Sequence, residues 1–193
     1  MNNKDIWDMI LERTGDEIFT AALMGNMYAE SGLKAENLQN SHEKKLGFTD
    51  ATYTAAVDSG AYPREKFVKD SAGYGLCQWT HWSRKAGLYD YAKTAHKSIG
   101  DMAMQIDFCA WEMSSAYKAL WNKRGQYKTI RDAVADILRG YERPADQSDA
   151  NIDRRTVYAQ GFFDLYSTAN SDKLDAILDN IQKAIDILKK CFT

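Results

Sequence analysis

Apolar residues recur at helical spacing through most of this chain, with polar residues and glycines as stops between the runs. The densest case is Ile18 to Glu30. Ile18, Ala21, Ala22, Gly25 and Ala29 form one apolar stripe, and Phe19, Leu23, Met24 and Met27 make the other faces apolar too. That is the pattern of a helix buried on most sides. Asp16 is a good N-cap for it, and Ser31-Gly32 ends it, glycine being the usual residue just past a C-terminus. Asn26 and Glu30 break the apolar pattern one turn apart, so they share a face.

The remaining chain divides in the same way. Asn3 or Asp5 caps a first helix with Ile6, Met9 and Ile10 inward, stopped by Gly15. Leu33 to Leu46 is polar and loop-like. Thr49 caps a helix from Asp50 to Ser59, closed by Gly60. Phe67 to Asp70, the turn Ser71-Ala72-Gly73 and Tyr74 to Trp79 form the one β signal, a small hairpin. Gly73 and Gly75 within it leave room for a ligand or another backbone to approach. Thr80 opens a helix through Leu88, Tyr91 and Ala92. Ser98 caps the next, with Met102, Ile106, Cys109 and Met113 as its stripe. Thr129 caps another, with Val134, Ile137, Leu138 and Tyr141 inward, ending before Pro144. Asp149 or Asn151 starts a helix whose stripe is Tyr158, Phe162, Leu165, Tyr166 and Ala169.

Ser167 to Ser171 is the linker candidate. Beyond it Leu174, Leu178, Ile181, Ile185, Leu188 and Phe192 alternate steps of four and three, a heptad-like stripe too short for a stable coiled coil in isolation. It suits pairing with a second copy, packing back on its own domain, or leading to a further binding region. These elements predict a mostly α fold with a small β-hairpin: one domain over residues 1–169, then an amphipathic helix over 170–193.

Composition narrows the function classes. Hydrophobic residues at 45% and aromatics at 12% are ample for one core, which excludes disorder as the main state. A net charge of −2 gives no support for a nucleic-acid binder. Cys77, Cys109 and Cys191 are too sparse for a disulfide framework, so they suit a reducing compartment. The N-terminal residues lack the apolar run of a signal peptide, and no stretch approaches a membrane span. Synthesis in the cytoplasm is the expectation, with delivery by other means if the target lies outside.

The chemistry centres on Glu30. Burial and the negative end of the helix dipole both work against a charged carboxylate there, so the position suits a proton donor. The hairpin adds a second acid, Asp70, an amide, Gln78, and two aromatic faces, Tyr74 and Trp79. The loop after Glu30 adds Asn37, Gln39 and Asn40. An acid among amides and flat apolar rings fits a saccharide cleft. His42, His81 and His96 are scattered, and Cys77 with His81 lacks two further ligands, so neither a metal nor a cofactor is expected. Arg84-Lys85 and Lys44-Lys45 read as solvated faces, and Glu142 as a residue that orders the turn before Pro144.

Ala29-Glu30-Ser31-Gly32-Leu33 followed by Gly73-Tyr74-Gly75-Leu76-Cys77-Gln78-Trp79-Thr80 resembles the phage tail-type lysozyme family. That family is similar in turn to goose-type lysozymes and soluble lytic transglycosylases. Tyr141 to Asp146 and Arg155 to Gln160 look like its downstream signature, so the resemblance runs from about Ile6 to Tyr166. It implies a lysozyme-like fold and a peptidoglycan substrate, with Glu30 as general acid and Ser31, Gln78 and Trp79 in the cleft. Asp70 becomes the candidate second carboxylate. Hydrolysis at the bond between N-acetylmuramic acid and N-acetylglucosamine is the expectation. The alternatives are a lytic transglycosylase and a non-catalytic tail or wall-binding module. The setting would be the bacterial wall, reached after release or within a phage or wall-associated assembly.

Overall fold

The computed structural model describes residues 2–191, with side chains for all of these but 169–175, 186, 190 and 191. Its elements are α1 (Asn3–Thr14), α2 (Glu17–Ser31), α3 (Asn40–Leu46), α4 (Asp50–Ser59), α5 (Arg64–Lys69) and α6 (Trp82–Thr94). Then come α7 (Met102–Ala116), α8 (Lys118–Trp121), α9 (Ile130–Ile137), a π-helical turn (Leu138–Glu142), α10 (Asp149–Tyr166) and α11 (Thr168–Cys191).

α2 is the axis of the fold. Its Phe19 to Met27 segment is buried throughout, because α1, α9 and α10 pack around it. Asp16 Oδ1 accepts from the Ile18 and Phe19 amides, which satisfies two of the free donors at the helix start. Gly32, at φ +62°, ends the helix in the left-handed conformation that glycine adopts without steric cost. Gly25 has a second role. A Cβ there would stand 2.7 Å from Ala159 Cβ and 2.8 Å from its amide nitrogen, so α10 crosses α2 nearly backbone to backbone.

Several expectations are corrected. The first helix is capped by Asn2, whose side chain accepts from the Asp5 amide, and Met9 is only partly buried while Trp7 is enclosed. Asp101, not Ser98, caps α7, whereas α10 starts at Asp149 as expected, with Ser148 as its cap. His81 caps α6, which starts two residues after Thr80. Residues 40–46, expected as loop, form α3, a helix with no buried residue and hence no apolar stripe to reveal it. Leu165 is exposed, off the face that α10 buries. Helix α10 stops at Tyr166, and Ser167 alone is extended before α11 begins. Of the C-terminal stripe, Phe192 lies outside the described residues and Leu174 outside the described side chains, as does Ala169 of the preceding stripe.

The hairpin is the largest correction. No strand is present among the described residues. Phe67 to Lys69 is helical, within α5, and buries Phe67 and Val68 beneath α6. What remains of the β signal is two isolated antiparallel bridges, Leu38 with Tyr74 and Tyr74 with Trp79. The glycines there make room for the protein itself: a Cβ at Gly75 would meet Gln105 Oε1 at 2.5 Å, and one at Gly73 would meet Gln78 Oε1 at 2.7 Å.

Candidate active site

Glu30 sits in the last turn of α2 and lines a cleft of about 820 Å³. The 71–83 segment supplies one wall, with Ser71, Gln78, Thr80 and His81. The π-helical turn and its continuation supply the other, with Tyr141, Glu142, Arg143 and Pro144. Gln39 and His42 reach the same space from α3 and its approach, so the polar segment after Glu30 does border the cleft.

The fold places a guanidinium against Glu30. Arg155 Nη2, on α10, donates to Glu30 Oε1 at 2.6 Å, and both groups are largely buried. Arg155 Nη1 donates to Asn26 Oδ1 at 3.1 Å, so one side chain holds both polar residues that interrupt the apolar pattern of α2. Ser31 is buried and has no face toward the cleft. Its hydroxyl lies 3.0 Å from the carbonyl oxygens of Met27 and Leu76 and ties the end of α2 to the loop.

Gln78 lines the cleft from the 71–83 segment. It holds φ +44°, and its Nε2 donates to Asn37 Oδ1 at 2.9 Å. Tyr74 and Trp79, by contrast, expose no surface. The Tyr74 hydroxyl pairs with Thr54 at 2.6 Å, and Trp79 Nε1 donates to Glu112 Oε2 at 3.0 Å. The ring that is exposed is Trp82, three residues on, beside Ser71, Thr80 and His81 where the cleft continues outward.

Asp70 does not face Glu30. Its Oδ1 accepts from Lys85 Nζ at 2.5 Å and from the Ala72 amide at 2.9 Å, and its Oδ2 accepts from the Tyr53 hydroxyl at 2.5 Å. This is a buried ion pair beneath the cleft wall. Lys85 therefore belongs to the core rather than to a solvated face, and burial lowers its pKa while Asp70 pulls the other way. Arg84 is likewise committed: it grips Glu112 through Nε and Nη2 at 2.9 Å each, and stacks 4.4 Å from the centre of the Tyr141 ring.

Glu142, expected to order the turn before Pro144, also lines the cleft. Its side chain bonds to no other residue of the turn. The residue is half-buried as a whole, but its Oε1 is sealed from solvent with no hydrogen-bond partner among the described residues. Desolvation first, and then the charge of Glu30, push this carboxyl up to about 8; Arg84, Arg155 and the Cys77 thiol draw it down. Sequence reasoning had one signal for it, its place in the Tyr141 to Asp146 segment. Cys77 and Cys109, both free, lie behind the turn with sulfurs 3.8 Å apart.

Among the described residues no three His, Cys, Asp or Glu side chains converge to hold a metal ion, and no helix is long and apolar enough to cross a membrane. The cleft thus assembles an acid held by a guanidinium, a second buried carboxyl, and amides and hydroxyls on the facing wall. No curated protein matches the chain. The sequence pattern of the phage tail lysozyme family does, over residues 1–166, which takes in both cleft walls and every residue described above as lining them. The chain therefore belongs to the phage tail lysozyme family, whose members lyse the bacterial cell wall and act on its peptidoglycan.

Proposed function

We propose that the chain is a muramidase, hydrolysing the β-1,4 bond between N-acetylmuramic acid and N-acetylglucosamine, with Glu30 as the proton donor. The observation that carries this reading is the meeting of Glu30 with neutral amide and hydroxyl groups in one cleft of about 820 Å³. Sugar rings need many neutral hydrogen bonds, and the glycosidic oxygen needs a proton as positive charge builds on the anomeric carbon. Gln39, Gln78, Ser71 and Thr80 supply the first, and Glu30 the second. Trp82 supports the reading as the exposed flat ring at the cleft's outer end. Asp70 has no part in it, since its oxygens are taken up by Lys85, Tyr53 and Ala72. The protein works at the wall, after release or as part of a phage or wall-associated assembly.

Purified peptidoglycan digested by the parent should give fragments with free reducing ends, read by mass spectrometry. Glu30→Gln keeps size and hydrogen bonding but removes the transferable proton, and should slow release by about 10²–10⁴-fold. Clearing at the parent rate by a folded Gln variant would take the role from Glu30. Fragments lighter by one water throughout would mean that the sugar's own 6-hydroxyl attacks, as in a transglycosylase. No fragments at all from the parent would leave a binding module.

A further inference from the structure

Two guanidinium groups and three carboxyl groups meet behind the cleft, and their pairing leaves one carboxyl over. Arg84 from α6 is held by Glu112 of α7 in two hydrogen bonds of 2.9 Å. Arg155 from α10 is held by Glu30 of α2 at 2.6 Å. Glu142, on the π-helical turn, lines the same cleft as Glu30 and has no cation of its own. Three further basic groups line this cleft: Arg143, whose Nε donates to the Gly140 carbonyl at 3.0 Å, His81, whose Nδ1 pairs with Ser83 at 2.9 Å, and His42, whose Nδ1 pairs with Ser41 at 3.3 Å, and none of them bonds to Glu142. The Tyr141 hydroxyl donates to Glu112 at 2.7 Å, and Cys77 and Cys109 are buried thiols. A buried carboxylate without a partner is costly, whereas a carboxylic acid in the same place is tolerated.

We infer that Glu142 is the proton-holding partner of Glu30: the two carboxyl groups keep one proton between them at neutral pH, and that proton is the one delivered to the leaving oxygen. Two like charges in one site cannot both ionise freely, which is the general behaviour of a carboxyl pair. The inference rests on the muramidase reading and deepens it. Arg155 is committed to Glu30, and Glu142, in the same cleft with no ion pair, is the carboxyl that can keep a proton in the site. The balance closes over a turnover. The glycosidic C–O bond breaks as its oxygen takes the pair's proton, water forms the new C–O bond, and the proton that water loses returns to the pair.

The test is the pH profile of kcat on soluble wall fragments between pH 5 and 9. The parent should lose activity on the alkaline side near the value of about 8 at which Glu142 gives up its proton. In Glu142→Gln that limb should move toward acid by about one unit or more, since the like charge that retains the proton is gone. At pH 7.5 kcat should fall about tenfold. Glu142→Asp should recover part of the shift. A Gln variant with the parent's alkaline limb would overturn the inference. A second readout needs neither substrate nor variant activity: carbon-13 NMR of labelled glutamate side chains in the parent. One carboxyl should titrate well above the ordinary glutamate range, and its absence would overturn the inference whether or not the protein cleaves walls. That titration in a parent that cleaves nothing would instead overturn the muramidase reading, and proton delivery with it.

Discussion

Lys85 has none of its surface in water, and Asp70 is the group that makes a charge there tolerable. Removing one partner of such a pair strands the other, at a typical cost of about 3–5 kcal/mol. Asp70→Asn should therefore lower Tm by roughly 10 °C, given about 2–4 °C per kcal/mol for a domain of this size. The molecules that remain folded should still cleave walls. An Asn variant with the parent's Tm and no activity would return Asp70 to the chemistry. Residue type was legible here and residue environment was not. A carboxylate beside an apolar run reads as a cleft acid whether it faces a substrate or a buried lysine some fifteen positions on. Glu142 is the converse case: its sequence neighbours suggest a turn, and only the folding of α6, α7 and α10 around it reveals that both arginines are already taken.

At the scale of elements, caps were legible at three helices and displaced by one to three residues at others. Asp16, Thr49 and Thr129 each accept from a backbone amide where their positions predict, because capping is a local interaction between near neighbours. Short apolar runs were not: Phe67-Val68 fits a strand or a helix equally well, and the packing of α5 on α6 decides it. The π-helical turn had no local signal either, though it carries Glu142 to the cleft. Gly25 was legible as part of an apolar stripe but not as a crossing point. Gly25→Ala should cost about 1–3 kcal/mol, because a methyl group there strikes the backbone of Ala159, which cannot rotate away. Since α2 carries Glu30 and α10 carries Arg155, the same substitution should separate the pair and slow cleavage beyond what the lost stability explains. Chemical denaturation beside wall-clearing rates would show it; unchanged stability would mean that the crossing relaxes without cost.

For the whole molecule, the family pattern covers residues 1–166 and stops before α11 begins. Ile177, Leu178, Ile181, Ile185 and Leu188 are all exposed on it, and none of the cleft residues belongs to it. A chain ending at Ser167 should accordingly keep its Tm within a few degrees and its cleavage rate. If α11 pairs with a second copy, self-association of the full chain should vanish with the truncation; sedimentation of the two as compact monomers would end that idea. The attachment point of α11 has a consequence of its own. The Thr168 amide donates to Glu17 Oε1 at 2.7 Å, so α11 is rooted on the first turn of α2, while Glu30 stands in its last. At 1.5 Å per residue the two lie about 20 Å apart along one helix. Cargo or anchor joined through α11 would be moored at the far end of that rod, leaving the mouth of the cleft open to the glycan strand.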